Sequence, residues 1–256
     1  MLIANRISSY STPYLRLVKY LQYTTRYSDG ITKEMWPFVD TGIHTSPDLI
    51  VECHFHYTYR TFAENNGSIN NMAHHNDTVL GVETLDPNIG YYTYSIMIRA
   101  AGSDISKIDP IFYTKDQQVS GNFKSTRYGV GNIEPNVVIL TKDTTTVNGV
   151  TTQNFLPYSG LTLSSQRSLY LFCCNTNEDN IGSDQFWTPS NQYGCCKPSS
   201  GRVFYLKITN SVTQKVLIEY VPCLDRNMVP CFYDKANDKL VYQGNPNYKK
   251  LTYAEL

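Results

Sequence analysis

The chain has 256 residues, enough for one large all-β domain or two small ones built on a core of useful size. Charge is sparse and balanced, with 22 Lys and Arg against 22 Asp and Glu, so no net field draws the chain to nucleic acid or into an anionic membrane. Tyrosine is the outlying residue, 21 Tyr beside 10 Phe and 2 Trp, and with Thr and Asn also abundant the composition favours pleated strands over helices. Exposed Tyr and Asn also suit adaptable recognition surfaces, although strand propensity alone is the simpler reading of that count.

Residues 1–17 contain Ser8-Ser9-Tyr10-Ser11-Thr12-Pro13 and little periodicity, which predicts an arm that orders against a partner or against the flank of the domain. No basic segment followed by an apolar core marks a signal peptide, and no stretch approaches the roughly 18 apolar residues of a membrane span. The expectation is a protein made in a cytoplasm without membrane insertion. The seven cysteines, an odd number, point to reduced thiols rather than a disulfide framework.

Residues 18–256 show no linker, repeat or long charge run and are expected to form one domain. From Leu49 to Thr58 the sequence alternates, placing Leu49, Val51, Cys53, Phe55 and Tyr57 on one face and Glu52, His54 and His56 on the other. Tyr91–Ile98 repeats the pattern. Val137–Thr141 and Val147–Val150 frame a further strand pair, with Asn148-Gly149 as a hairpin signal. Leu169–Cys174 is an apolar run expected to be a central buried strand. Phe204, Leu206 and Ile208 share a face in the next strand, and Val216, Ile218 and Tyr220 in the one after it; a Pro222-Cys223 corner follows. Short strands at this spacing, with no helical period, predict an antiparallel β-sandwich or jelly roll with long loop insertions.

The order of segments resembles a concanavalin A-like, laminin-G-type jelly-roll module of gut bacterial surface proteins and bacteriophage virion proteins. The residues that carry the resemblance are Tyr20-Leu21-Gln22, Phe38-Val39-Asp40-Thr41-Gly42-Ile43, Val79–Thr84, Arg127-Tyr128-Gly129, Leu169–Phe172, Gly201–Ile208, Val221-Pro222-Cys223 and Phe232-Tyr233-Asp234. They span roughly residues 18–249 in order. Two departures stand out, an insertion at Tyr23–Pro37 and a long Cys-bearing loop at Asn175–Ser200. At the first motif, Gly42 sits where the strand must turn, and Asp40 is suited to bond its own downstream backbone; a ligand carboxylate is the other reading of Asp40.

An endoglucanase on this fold would place two carboxylates on one strand face, as in Glu-x-Asp-x-x-Glu. None of the eight glutamates has a carboxylate two residues later, and no Gly-x-Ser-x-Gly elbow, Gly-x-Gly-x-x-Gly run or phosphate loop occurs, so no enzyme activity is expected. His54-x-His56, with His74-His75 beyond it, reads either as part of a zinc site or as polar residues on a solvated face, and the second is the expectation. Cys173-Cys174 and Cys195-Cys196 lack knuckle spacing. One of each pair is expected to be buried and the other to face the loop, with a cross-loop disulfide after release from a cell as the alternative. The resemblance to laminin-G and legume-lectin modules brings in calcium, for which Asn175, Asn177, Asp179, Asn180 and Asp184 are candidate ligands; no cofactor is otherwise implied.

Aromatic residues of the two insertions supply the candidate ligand-binding rim: Trp36, Trp187 and Tyr193, with Asn191 and Gln192 alongside for hydroxyl groups. Trp187 packing beneath its own loop is the competing reading. Together these readings lead to the expectation of a non-enzymatic virion structural protein of a bacteriophage, a head fibre, capsid decoration or tail-associated protein. It would be a homo-oligomer that displays a lectin-like domain to host-surface glycan and docks on other virion proteins through its arm. The alternative is a stand-alone or cell-surface carbohydrate-binding protein.

Overall fold

The computed structural model describes residues 15–25, 29–59, 76–86, 90–99, 107–114, 128–129, 134–153, 167–176, 192–196 and 198–256. These residues form two β-sheets, and the helical structure among them is confined to 3-10 turns such as Lys33–Met35. The larger sheet contains β1 (Arg16–Leu17), β2 (Tyr20–Tyr23), β4 (Leu49–Tyr59), β9 (Asn136–Leu140), β10 (Thr144–Val147), β11 (Val150–Gln153), β15 (Ser200–Asn210), β16 (Val216–Leu224), β17 (Pro230–Asp234), β18 (Lys239–Val241) and β19 (Thr252–Ala254). The smaller contains β3 (Val39–His44), β5 (Asn76–Asp86), β6 (Gly90–Arg99), β7 (Lys107–Thr114), β8 (Tyr128–Gly129), β12 (Ser168–Leu171), β13 (Cys174–Asn175) and β14 (Cys195–Cys196). Strand pairs are antiparallel except β13 with β5. The architecture is all-β with two sheets, in keeping with a β-sandwich.

The larger sheet runs β11-β10-β9-β4-β15-β16-β17-β18. Its N-terminal strands enter a fork. β15 and β16 pair from Leu206↔Tyr220 to Thr209↔Val216, then diverge. Into the gap come β1, paired to β16 at Leu17↔Cys223, and β2, paired to β15 at Val203↔Leu21. β19 closes on the other side of β2, so segments from both ends of the described chain lie in one sheet. Of the arm expected over residues 1–17, residues 1–14 lie outside the described residues, while Arg16 and Leu17 are the sheet-forming β1.

Burial follows strand period where the ladder is regular. In β4, Leu49, Val51, Cys53 and Phe55 are buried and alternate with half-buried Ile50, Glu52, His54 and His56. Tyr57, expected on the buried face, is half-buried there and packs against the core. A shift in the β4–β15 register between Val203 and Tyr205 turns Phe204 away from the face that Leu206 and Ile208 share, correcting that expectation; a bulge inserts one residue and reverses the alternation. Asn148-Gly149 makes the tight turn between β10 and β11, with φ of 50° and 84° as a two-residue hairpin of this sequence requires.

The apolar run at Leu169–Cys174 is not one strand. Phe172 takes φ 84°, and the chain reverses from β12, antiparallel to β5, into β13, parallel to it. Cys173 and Cys174 are both buried, contrary to the expected one-in, one-out arrangement, because this reversal sets Cys173 in the core and Cys174 in the sheet between β5 and β14. Side chains from both sheets fill one core: Leu21, Tyr23, Val51, Phe55, Leu206, Ile208, Tyr220 and Phe232 from the larger, Val39, Leu80, Val82, Ile96, Leu169 and Leu171 from the smaller. The chain crosses between sheets at Pro198–Ser200, where Ser199 Oγ donates to Thr78 O (3.0 Å) and lies 2.8 Å from Tyr23 Oη. Among the described residues no helix is long and apolar enough to cross a membrane.

Candidate functional site

The described part of the first insertion is fastened to the domain by the C-terminal segment. Buried Asn245 donates through Nδ2 to Glu34 O and Trp36 O, both at 2.8 Å, and Thr24 N donates to Tyr248 Oη at 2.7 Å. These bonds draw Trp36 into the core, where it is 1% exposed. Neither face of its indole is open to a sugar ring, so Trp36 does not line a surface rim. Its backbone instead positions the residue two places on, Phe38, at the start of β3.

Phe38 is the centre of an aromatic stack at the β3 edge of the smaller sheet. Its ring lies 4.7 Å from Tyr170 at an interplanar angle of 17°, and 5.7 Å from Tyr193 at 34°. Such offset contacts add about 0.5–1.5 kcal/mol each beyond area burial. Phe38 is itself buried: Gly244 N bonds Phe38 O (2.7 Å), and the Phe38 ring packs so closely on Gly244 that a β-carbon there would clash with it. Tyr170 and Tyr193 are half-buried and pack against the core.

Polar groups flank the stack. Asp40 is exposed on β3; its Oδ1 accepts from Gly42 N (2.8 Å) and Ser168 Oγ (2.5 Å), and Gly42 takes φ 68°, the Asx-type turn expected of Asp-Thr-Gly. Arg167 Nη1 donates to Asn175 Oδ1 (3.1 Å), and Asn175 Nδ2 to Ser168 O (2.8 Å). Gly194, at φ 79°, lets the turn that carries Tyr193 approach: a β-carbon there would be 2.8 Å from Thr176 O and 3.1 Å from Arg167 Nη1. Burial pushes the Tyr170 phenol up, and the Asp40 charge adds to it, so Tyr170 stays a neutral hydroxyl. The edge therefore brings aromatic surface, a carboxylate and a guanidinium into one patch.

Of the residues the sequence nominated for binding, Tyr193 belongs to this patch and Trp36 does not; Trp187 and Asn191 lie outside the described residues. Tyr170 and Arg167 were missed. For Tyr170 a signal existed, since it stands between buried Leu169 and Leu171 in a short strand and is itself only half-buried. For Arg167 there was none, because Asn175 reaches it only through the turn at Phe172.

The other nominated groups are placed differently. His54 Nε2 lies 2.7 Å from Glu52 Oε1 and its ring 5.0 Å from Tyr205, while His74 and His75 lie outside the described residues. Burial, then the Glu219 and Glu52 charges, pushes the Tyr205 phenol up to about 12. Arg202 spans β2 and Glu134, donating from Nε to Gln22 Oε1 (2.9 Å) and from Nη1 to Glu134 Oε2 (3.0 Å), with its guanidinium 4.8 Å above Tyr20. Of the calcium candidates, Asn175 is buried with its amide engaged as above, and Asn177, Asp179, Asn180 and Asp184 lie outside the described residues. Among the described residues no three His, Cys, Asp or Glu side chains converge as a metal site. No protein-family model, curated protein or solved structure matches this chain.

Proposed function

We propose that this chain is a non-enzymatic, lectin-like virion protein of a bacteriophage. In this reading a concanavalin A-like jelly roll on head or tail turns the β3 edge outward to a host-surface glycan. The observation that carries it is the pair of half-buried rings, Tyr170 and Tyr193, packed on buried Phe38 and flanked by Asp40 and Arg167, aromatic surface with polar groups beside it as a sugar ring requires. Support for the particle comes from the resemblance over residues 18–249, and from the balanced charge, which gives no pull toward nucleic acid. The segment preceding β1 would dock on a neighbouring virion protein, since β1 itself is held in the sheet beside β16. Homo-oligomers are the usual form of such components.

Mass spectrometry of purified phage particles, with gold-labelled antibody against the 192–196 turn, tests this directly. The expected result is the chain on intact particles, labelled at their outer surface, with the antibody slowing adsorption to cells. A chain missing from particles whose isolated form still binds glycan would instead identify a stand-alone carbohydrate-binding protein.

A further inference from the structure

Two cysteines of the larger sheet face each other across a strand pair. β16 and β17 are antiparallel neighbours whose register sets Cys223 directly opposite Cys231, between the pairs Pro222↔Phe232 and Leu224↔Pro230. Opposed residues on such a ladder have α-carbons about 4.5–5.5 Å apart, inside the span of roughly 4.4–6.8 Å that a disulfide bridges. The side chains also point the same way, with Cys223 Sγ and Cys231 Sγ 3.5 Å apart. Backbone register and side-chain direction thus agree independently. Cys53 lacks this arrangement, since its ladder partners are Leu206 and Val138.

We infer that Cys223 and Cys231 are a disulfide-forming pair, dithiol in a reducing compartment and closed to a cross-strand cystine by a low-molecular-weight disulfide in an oxidising one. The Cys223 thiolate attacks one sulfur of the oxidant R–S–S–R, forming a mixed disulfide and releasing one thiolate. Cys231 then gives up its proton to solvent and attacks the Cys223 sulfur, which expels the second thiolate. Two protein thiols are oxidised to one disulfide and one small disulfide is reduced to two thiols. The contact between the two sulfurs lets the two exchange these roles, since whichever forms the mixed disulfide has the other 3.5 Å away to resolve it.

Both sulfurs are buried in the closed sheet, so exchange proceeds through opening of the outer hairpin. That opening is local: beyond β17 in this direction the sheet has only the three residues of β18. The position of the link matters because Cys223 also pairs on its other side with Leu17 of β1. A cystine here would fasten the outer hairpin to the strand against which the N-terminal segment lies, whatever the chain binds.

The test is oxidation of the reduced full-length chain with oxidised glutathione, natively and in urea just below the unfolding transition, followed by alkylation and peptide mapping. The expected product is a cross-linked peptide joining Cys223 to Cys231, about 2 Da lighter than the two thiols. It is expected to be absent from Cys223→Ser, and its formation to raise the melting temperature of the wild type by about 4–8 °C. Should the serine variant fail to fold, the wild-type map decides alone. Cys223 and Cys231 fully alkylated under both conditions, or joined to other cysteines instead, would overturn the inference.

Discussion

Phe172 holds φ at 84° while its side chain is fully buried against Tyr23, at 4.1 Å between ring centroids, and Phe232, at 6.1 Å. A β-carbon in the left-handed region costs about 1–2 kcal/mol, and a bulky residue there is uncommon. The surroundings hold it in place: Phe172 N donates to Val79 O (2.7 Å), and Ser199 N to Phe172 O (3.2 Å). Truncating the ring costs about 3–5 kcal/mol through the cavity it leaves. Glycine escapes the backbone penalty that alanine keeps, so Phe172→Gly is expected to be more stable than Phe172→Ala by about 1 kcal/mol, although glycine is ordinarily the poorer strand residue. Urea midpoints of the two variants check it. Alanine the more stable would mean the backbone is unstrained there. Nothing in the sequence signals this residue, since LYLFCC reads as continuous strand and phenylalanine is no turn former.

The element that joins β16 to β17 is organised by one carboxylate. Asp225 Oδ1 accepts from Asn227 N (2.8 Å) and Val229 N (2.9 Å), and Oδ2 accepts from Tyr242 Oη (2.9 Å). Desolvation pushes the Asp225 carboxyl up, but the bonds from Val229, Tyr242 and Asn227 together outweigh it and leave it below the usual carboxylate range. A depressed carboxyl contributes stability that is complete above its unfolded value and disappears as pH falls through its folded one. The acid limb of the stability curve is therefore expected to flatten in Asp225→Asn, with the loss of stability greater at neutral pH than at the acid end. Melting temperatures between pH 3 and 7 check it, and parallel acid limbs in the two proteins would contradict it. At this scale the sequence was readable where chemistry is local. Asn148-Gly149 and Asp40-Thr41-Gly42 turn as their side chains dictate, and β4 alternates as written. Bulges were not readable, because the register shifts at Ser200 and Val203, the second of which reverses the side-chain alternation of β15, answer to the partner strand.

At the scale of the whole molecule, the larger sheet gathers β1 and β2 into the fork between β15 and β16, and the closing segment from Gly244 onward holds the first insertion in place through Asn245 and Tyr248. The insertion thereby serves as a brace under Phe38. An all-β, two-sheet architecture was legible from tyrosine and threonine abundance and strand spacing alone. The candidate site was legible only in part. Tyr193 was found from its aromatic, Asn-flanked context, whereas the stack it joins depends on Phe38 and Tyr170, which strand pairing brings together from far apart in sequence. Aromatic rings gathered by a sheet edge beside a carboxylate and a guanidinium are the central claim. Retention of the folded protein on host-cell envelope polysaccharide, compared for wild type, Tyr170→Ala, Tyr193→Ala and the distant edge variant Val150→Ala, tests it most directly. The account predicts at least about tenfold weaker binding for either tyrosine variant, the equivalent of roughly 1.4 kcal/mol, and wild-type binding for Val150→Ala. Folded tyrosine variants that bind as tightly as the wild type would contradict it.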